Sequence, residues 1–285
     1  MKNIRTPVPG TLPPDSSTIR SQLAAAAPQV GRFEAALLLA YALGKTREFL
    51  IAHDDEAISP ADALRYQMFV NMRVAGTPIP YITGHQEFYG RHFTVNENVL
   101  IPRPDTEVLI EQALLVAPDR PLILDLGTGS GCIGITLALE ISDSRVTATD
   151  SSKGALEVAK RNAEALGADI DFRLGIWWDA LKEGEHFDVI VSNPPYIRPD
   201  DEHLAALTNE PLGALTDGID GLQCLRDISA GAMKRLAPGG WLLLEHGYDQ
   251  GADVRAMLDA AGFAAVRTKK DYGGNDRVTL GRRAD

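Results

Sequence analysis

The spacing of apolar residues predicts that the chain begins with a small helical domain. Across residues 17–84 apolar residues recur at helical spacing, most densely over Arg32–Leu43, which is rich in Ala and Leu. Ser59 followed by Pro60 is typical of an N-cap and first-turn pair, and Gly76 is a suitable end for the helix that they begin. We therefore expect residues 17–84 to form an all-helical domain.

Two segments flank this helical domain. Residues 1–16 hold four prolines and no apolar periodicity, so we expect a flexible arm. After the domain, apolar residues alternate in short pieces, which predicts a β-hairpin linker over residues 85–104. Pro102-Arg103-Pro104 ends this alternation, and Thr106 can cap a helix that runs to about Ala117.

Short apolar runs alternate with helical patterns over the rest of the chain. The predicted strands are 122–126, 145–149, 170–174, 188–192, 241–245, 264–268 and 277–280. The predicted helices are 132–141, 153–166, 222–236 and 252–261. Short apolar strands separated by helices predict right-handed crossovers and a mainly parallel sheet covered on both faces. Residues 105–285 are thus expected to form an α/β domain with seven strands.

Composition and charge exclude several functional classes. The chain is 45% hydrophobic and 24% charged, as in ordinary globular proteins, and its formal net charge is −11. This acidic balance argues against direct binding of nucleic acid through neutralised phosphates.

The longest apolar run of the N-terminal half, Ala35 to Leu43, is too short to span a membrane, and the prolines near the start do not fit a signal peptide. Cysteines and histidines do not cluster, so we expect no metal site and a cytoplasmic location.

A glycine-rich turn marks the candidate ligand site. The first predicted strand of the sheet leads directly into Gly127-Thr128-Gly129-Ser130-Gly131 and then a helix, and Asp150 ends the next strand. Glycines let a ligand approach the main chain closely, and a carboxylate at that strand end can accept hydrogen bonds from both ribose hydroxyls of a nucleoside. Because residues 129–134 also satisfy Gly-x-Gly-x-x-Gly, a nicotinamide dinucleotide remains an alternative at this point.

The second motif is Asn193-Pro194-Pro195-Tyr196, which follows the fourth predicted strand of the sheet. A planar NH₂ nitrogen is a poor nucleophile, so a site that methylates it must hold both hydrogens with acceptors and aim the lone pair at the methyl carbon. The Asn193 side-chain oxygen and the Pro194 carbonyl can be those acceptors, and they also stabilise the developing positive charge. Pro195 has no N–H to compete, and Tyr196 can pack against the planar group. Orientation then supplies most of the rate acceleration, without a strong general base.

These motifs resemble those of known enzymes. Asp-Leu-Gly-Thr-Gly-Ser-Gly (125–131), Asp150 and Asn-Pro-Pro-Tyr (193–196) are similar to the motifs of S-adenosylmethionine-dependent methyltransferases that act on amide or exocyclic amino nitrogens. Further stretches resemble the release factor glutamine methyltransferases more narrowly, and the resemblance extends from about Ser17 to Leu280. These stretches are residues 80–84, 87–90, 100–107, 209–211, 214–215, 220–222 and 276–278.

The resemblance implies a fold, a reaction and a partner. The fold is a seven-stranded Rossmann-like methyltransferase sheet with a small N-terminal all-helical domain joined by a β-hairpin. The reaction is methyl transfer from S-adenosylmethionine to the side-chain amide of the glutamine in the Gly-Gly-Gln motif of class I peptide chain release factors. The helical domain helps to bind the release factor, and we expect a monomer.

The resemblance also implies roles for individual residues. Gly127, Thr128, Gly129, Ser130, Gly131, Asp150, Trp177 and Asn193 would bind the cofactor, whereas Asn193, Pro194, Pro195 and Tyr196 would bind the substrate glutamine, with Asn193 and Pro194 catalytic. Ile176 departs from the family pattern, because relatives usually carry an acid there that can bind the adenine amino group. Asp179 or main-chain groups would then have to substitute for that acid.

Three carboxylates around these motifs allow further expectations. Glu107 can form an ion pair with Arg103 at the helix start, or the two can order the site. Glu210 is expected to support the substrate loop, and Glu245 is expected to be structural.

Two other functions remain open at the level of sequence. A DNA or RNA amino-group methyltransferase would share both motifs but would favour a basic groove, which the net charge does not indicate. A nicotinamide-dependent oxidoreductase, or a nucleoside-binding module without catalysis, would share only the glycine turn and the acid.

Overall fold

The computed structural model describes residues 17–285, apart from the side chains of residues 203, 205 and 206. The predicted arm, residues 1–16, lies outside the described residues. Chain contacts divide the protein into two compact units, of which the first ends at Thr83 and the second begins at Gly84. No helix within residues 17–285 is both long and apolar enough to cross a membrane.

Five helices make up the described part of the first unit. They are α1 (Ile19–Val30), α2 (Arg32–Leu43), α3 (Arg47–Ala52), α4 (Pro60–Val74) and α5 (Ile79–Thr83). Ser59 accepts a hydrogen bond from the Asp62 N–H and Pro60 occupies the first turn of α4, as the sequence predicts. The core of this unit is apolar and includes Leu38 and Leu39. Tyr66 is also buried there, and its hydroxyl donates to the Ala35 carbonyl at 3.1 Å.

The second unit begins with a β-hairpin, as expected, but its strands end at Thr94 and not near residue 104 as predicted. Strands β1 (His85–Phe88) and β2 (Arg91–Thr94) pair antiparallel. A 3₁₀ turn, Pro104–Thr106, then leads into α6 (Glu107–Val116).

The predicted capping role of Thr106 is wrong. An N-cap residue needs an extended backbone for its side chain to accept from the first turn, but Thr106 has φ −66° and ψ −18° and makes no side-chain cap. Its hydroxyl accepts instead from the Asn193 side chain.

A seven-stranded sheet forms the body of the second unit within residues 84–285. Its strands are β3 (Leu122–Leu126), β4 (Arg145–Asp150), β5 (Ile170–Leu174), β6 (Phe187–Ser192), β7 (Leu236–Glu245), β8 (Ala264–Lys270) and β9 (Asp276–Arg282). The helices that follow α6 are α7 (Cys132–Glu140), α8 (Lys153–Leu166), α9 (Leu212–Leu215), α10 (Gln223–Ala232) and α11 (Gly251–Ala260). The order across the sheet is β5-β4-β3-β6-β7-β9-β8, with β3 to β7 parallel and β9 antiparallel to both its neighbours. The predicted α/β fold class is confirmed.

Among the predicted helices, the end of the helix over residues 222–236 differs most from the structure. The helix expected to run to Leu236 ends at Ala232, because the chain turns and Leu236 already pairs with Phe187 of β6. Strand β7 therefore begins five residues before the predicted Trp241.

The sheet topology places several chain segments at one edge. The strand order reverses beside β3, since β4 lies on one side of it and β6 on the other. In open parallel sheets ligands bind at such a point, beyond the carboxyl ends of the strands. The glycine turn, Asp150 and Asn193 all follow or end strands at that edge.

Candidate functional site

A cavity of about 460 Å³ opens at the carboxyl ends of the parallel strands. This large cavity is of the size that small-molecule sites commonly have, about 300–1,000 Å³. Its wall includes six predicted cofactor residues together with Asn193: Gly127, Thr128, Gly129, Ser130, Asp150 and Trp177. Gly131 is not on the wall.

The glycine turn is held in shape by a buried carboxyl group. Gly127, Gly129 and Gly131 all have positive φ, at 74°, 56° and 84°. Below them the Asp125 carboxyl accepts from the Thr128 hydroxyl at 2.6 Å and from the Gly134 N–H at 3.0 Å. Burial raises the pKa of Asp125 to about 6. Asp125 therefore anchors the turn from beneath.

Gly131 supports the turn at a place where an added side chain would be crowded by Ile135 and Ala159. A Cβ there would lie 2.7 Å from Ile135 Cδ1 and 3.2 Å from Ala159 Cβ. We predict that Gly131→Ala lowers the free energy of unfolding by about 2–5 kcal/mol, the sum of left-handed backbone strain and overpacking. Urea denaturation checks this value.

Gly167→Ala is the matched control for that substitution. Gly167 also has positive φ, at 76°, but no atom lies within 4 Å of its added Cβ. We expect Gly167→Ala to lower the free energy of unfolding only by the backbone strain, about 1–2 kcal/mol. Equal losses in the two variants would contradict the packing argument.

Asp150 joins the glycine turn to the next strand. One carboxylate oxygen accepts from the Gly129 N–H at 2.9 Å, and the other accepts from the Ser152 N–H at 2.8 Å. Burial raises the pKa of this group, and the two main-chain donors oppose the rise. Each carboxylate oxygen has a second lone pair, so the group can still accept from a ligand in the cavity.

Trp177 is held in an unfavourable backbone conformation at the cavity. Its φ is +43°, which a bulky residue seldom adopts. The ring lies over Gly127, where an added Cβ would be 3.4 Å from the ring edge. Strain of this kind persists where the surroundings enforce it and often marks a ligand site. Ile176 lies beside it on the wall and is 55% exposed.

The Asn-Pro-Pro-Tyr loop separates the large cavity from a second, small cavity of about 70 Å³. Asn193 lies on the walls of both cavities, Pro195 on the large one, and Pro194 and Tyr196 on the small one. The Asn193 Nδ2 donates to the Thr106 hydroxyl at 3.3 Å, and the Tyr196 hydroxyl donates to Glu245 at 3.2 Å. The predicted substrate residues are therefore divided between the two cavities, with Asn193 on both walls.

The loop is also fixed from behind its main chain. Gln250 Nε2 donates to the Tyr196 carbonyl at 3.0 Å and to the Gly221 carbonyl at 3.1 Å. A Cβ on Gly221 would lie 2.4 Å from the Tyr196 carbonyl oxygen, so only glycine fits against this stretch.

Glu210, which was expected to support the substrate loop, is instead bonded to the segment that precedes α6. Its buried carboxylate pairs with Arg103 and accepts from the Ile101 N–H at 3.1 Å. Arg103 lines both cavities. Of the two alternatives for Arg103 and Glu107, the ion pair does not form, because Glu107 accepts from the Tyr89 N–H in the hairpin at 3.0 Å and Arg103 pairs with Glu210.

Several acidic or hydroxyl side chains near the large cavity were not predicted, or were predicted in another place. Thr106 and Asp227 line the large cavity, and Asp227 also accepts from Gln223 Nε2 at 2.8 Å. Asp179, the expected substitute for the adenine-binding acid, is not on the cavity wall. The position of Glu245 at the end of β7, next to β6, could have indicated its closeness to the loop.

The described part of the chain is similar to known methyltransferases along most of its length. Residues 104–216 match the family described as Methyltransferase small domain, and residues 17–84 match the PrmC N-terminal domain. The chain is 48% identical to the release factor glutamine methyltransferase of Neisseria gonorrhoeae over 254 residues, which is 88% of this chain and 93% of that protein. It is 45% identical to the protein of the same name from Bordetella pertussis over 258 residues, 89% of this chain and 96% of that one.

Solved structures agree on the fold. A methyltransferase from Pyrococcus furiosus superposes with a TM-score of 0.54 at 18% identity, covering 78% of this chain and 98% of that one. At this identity the likeness concerns the fold alone. Among the described side chains of residues 17–285, which leave out His203, no group of three or more His, Cys, Asp or Glu is arranged to hold a metal ion.

Proposed function

Because this chain belongs to the family of release factor glutamine methyltransferases, we propose that it transfers a methyl group from S-adenosylmethionine to a release factor glutamine. The acceptor is the side-chain amide nitrogen of the glutamine in the Gly-Gly-Gln motif of class I peptide chain release factors. The observation that carries this proposal is the position of Asn193, which lies on the walls of both the large and the small cavity.

The residues around the large cavity fit a nucleoside cofactor. The Asp150 carboxylate has free lone pairs for ribose hydroxyls, and the glycine turn offers main chain without Cβ atoms. The Trp177 ring provides an apolar surface for the adenine. Asp227 offers a carboxylate acceptor in place of the acid that relatives usually carry at the position of Ile176. When bound, S-adenosylmethionine supplies an electrophilic methyl group on a sulfonium sulfur.

Asn193 and Pro194 would hold the substrate amide. Since the Asn193 Nδ2 donates to Thr106, its Oδ1 is the atom that remains to accept one amide hydrogen. The Pro194 carbonyl accepts the other hydrogen, and Pro195 has no N–H to compete. Two fixed acceptors orient the nitrogen lone pair and stabilise the positive charge that develops on the nitrogen.

The methyl transfer balances without a strong base. One N–C bond forms and one S–C bond breaks, and the N-methylated amide then loses one proton to solvent. The leaving group is a neutral thioether, which requires no acid.

We assign recognition of the release factor to the helical unit and the transfer itself to residues 105–285. Exposed apolar side chains on α2 and α4 support the first assignment, since Phe33 is 60%, Leu64 73% and Met68 52% exposed. Translation termination would place the reaction in the cytoplasm. That the enzyme is a monomer and binds no nucleic acid directly stays a prediction.

Methyl transfer from labelled S-adenosylmethionine tests the proposal. The purified chain is incubated with a class I release factor, with the same factor carrying glutamate in place of the motif glutamine, and with bulk DNA or RNA. We expect label only in the unaltered release factor. Label in nucleic acid would favour the amino-group methyltransferase of DNA or RNA instead.

A further inference from the structure

The inference concerns Gln250, a buried glutamine that lies on the wall of neither cavity. It is 3% exposed and immediately precedes α11. Its Nε2 donates to the Tyr196 carbonyl at 3.0 Å and to the Gly221 carbonyl at 3.1 Å, and its Oε1 accepts from the Gly247 N–H at 2.8 Å. Both N–H donors and the oxygen of the carboxamide are thus used. Gln250 thereby joins three loops, which follow β6, precede α10 and follow β7.

The peptide unit between Tyr196 and Ile197 is fixed at both of its polar groups. Its carbonyl accepts from Gln250, and its N–H, which belongs to Ile197, donates to the Leu215 carbonyl at 2.9 Å. Because a peptide unit is planar, two hydrogen bonds on opposite sides of it determine the direction of the whole plane. This plane is the far end of the Asn-Pro-Pro-Tyr loop.

The two prolines of the loop cannot be held in the same way. Neither Pro194 nor Pro195 has an N–H, so the peptide units before them donate no hydrogen bond. The Pro194 carbonyl is the second proposed acceptor for the substrate amide, and it must stay available for the substrate. Since the Pro195 ring holds its φ at about −65°, few free torsion angles separate the Pro194 carbonyl from the Tyr196–Ile197 plane. The direction of that carbonyl therefore depends on how the ends of the loop are held.

The first end of the loop is held by the sheet. Ser192 pairs with Leu126 of β3, and its hydroxyl donates to the Leu126 carbonyl at 2.7 Å. With this end fixed, the direction of the Pro194 carbonyl is determined by the Tyr196 end, where Gln250 binds.

Gly221 packs against the same carbonyl and connects it to the large cavity. A Cβ at Gly221 would lie 2.4 Å from the Tyr196 carbonyl oxygen. The Gly221 N–H donates to Asp217 Oδ1 at 3.0 Å, and Asp217 lines the large cavity. The same Oδ1 accepts from the N–H groups of Ile219 and Asp220, at 2.8 and 3.2 Å, which stiffens this loop. The Tyr196 end is thus tied to the wall of the cavity proposed for the cofactor.

We infer that Gln250 is a positioning residue for the transfer step: by holding the Tyr196 carbonyl against Gly221, it directs the Pro194 carbonyl towards the substrate amide and fixes this acceptor relative to the cofactor cavity. The inference rests on the proposed function. It implies losses in kcat rather than in binding, since neither Gln250 nor Gly221 lies on a cavity wall.

Two glycines of the loop before α10 form a matched pair of variants. Gly221 and Gly218 have φ of 75° and 72°, so alanine brings the same backbone strain to each. Only at Gly221 does the added Cβ meet the Tyr196 carbonyl, because no atom lies within 4 Å of a Cβ at Gly218. We expect Gly221→Ala to lower kcat by about 10- to 100-fold, the scale of a slightly misplaced reacting group, and Gly218→Ala to keep kcat within about twofold of wild type.

Gln250→Met tests the same carbonyl from its other side. Methionine keeps the length of the side chain and removes all three hydrogen bonds, so kcat should again fall by about 10- to 100-fold. Gln112→Met is the control, because Gln112 is also buried, at 8% exposed, but lies on α6 and on neither cavity wall. It should keep the wild-type kcat. In the double variant of Gln250→Met and Gly221→Ala the two losses should not add, since both displace one carbonyl.

For each variant we measure kcat and KM with the release factor, the cofactor Kd by calorimetry and the thermal midpoint. A residue that only supports the fold would lower the midpoint, whereas a positioning residue lowers kcat in protein that is folded at the assay temperature. We expect KM and Kd to stay within about threefold of wild type, as for an interaction that acts only in the transition state. Should Gln250→Met fail to fold, the glycine pair decides the question.

Two results would overturn the inference. One is a kcat in folded Gly221→Ala that equals that of Gly218→Ala, and the other is a KM or Kd that rises by as much as kcat falls. A wild-type enzyme that leaves the release factor unmethylated would instead overturn the proposed function, and the inference with it.

Discussion

Replacing Asn193 with alanine should lower kcat for release factor methylation by about 10²–10³-fold. That is the scale measured when one preorganised group that stabilises transition-state charge is removed. Alanine removes the Oδ1 acceptor, so one amide hydrogen of the substrate loses its partner and the nitrogen lone pair is no longer aimed. Initial rates at saturating cofactor and release factor provide the measurement.

Cofactor affinity of the same variant is the control. Asn193 lies on the walls of both cavities, whereas the groups proposed for the nucleoside, on the glycine turn and at the end of β4, line only the large one. Calorimetry should therefore give a Kd close to that of the wild type. Equal losses of rate and affinity in a folded variant would contradict the assignment of Asn193 to the transfer step.

Asp150→Ala should weaken S-adenosylmethionine binding by about 1–3 kcal/mol, or about 5- to 150-fold in Kd. Two effects add in this variant. The ribose hydroxyls lose their acceptor, and the glycine turn loses the hydrogen bond from the Gly129 N–H that holds it at 2.9 Å. Isothermal titration calorimetry measures the change directly.

Two further variants test whether the loss of affinity comes from the carboxylate oxygens of Asp150 or only from the loss of a negative charge. Asp150→Asn keeps one oxygen acceptor and should fall between wild type and Asp150→Ala. Asp259→Ala removes one negative charge from an exposed position on α11 and should leave the Kd unchanged. An unchanged Kd in Asp150→Ala would refute the proposed ribose contact.

The sheet could be predicted from the sequence because its strands are short, apolar and bounded by polar residues. The predicted bounds of β3 and β5 agree with the structure at both ends, as do those of α8. The end of α10 was predicted four residues too late, at Leu236. Leu236 is apolar in either state, and only its pairing with Phe187 decides that it belongs to a strand.

Those parts of the candidate site that lie within sequence motifs could be predicted. Positive backbone angles at Gly127, Gly129 and Gly131 follow from the residue type, and the loop after β6 is marked by its two prolines. The partners behind these motifs were not predictable. Thr106 has the sequence context of a helix cap, and only its backbone angles turn the hydroxyl towards Asn193.

Arg103 illustrates the same limit. Its sequence neighbour Glu107 was a reasonable partner, but the structure brings in Glu210 from 107 positions along the chain. Side chains that support a site from distant segments leave no local pattern.

Methyl transfer to the release factor glutamine can be observed by peptide mass spectrometry of a class I release factor after incubation with the enzyme and S-adenosylmethionine. We predict one added methyl group, located by fragmentation on the side-chain nitrogen of the Gly-Gly-Gln glutamine, and none when Asn193→Ala is used. A methyl group on any other residue, or an unmodified release factor beside an active wild-type enzyme, would contradict this prediction.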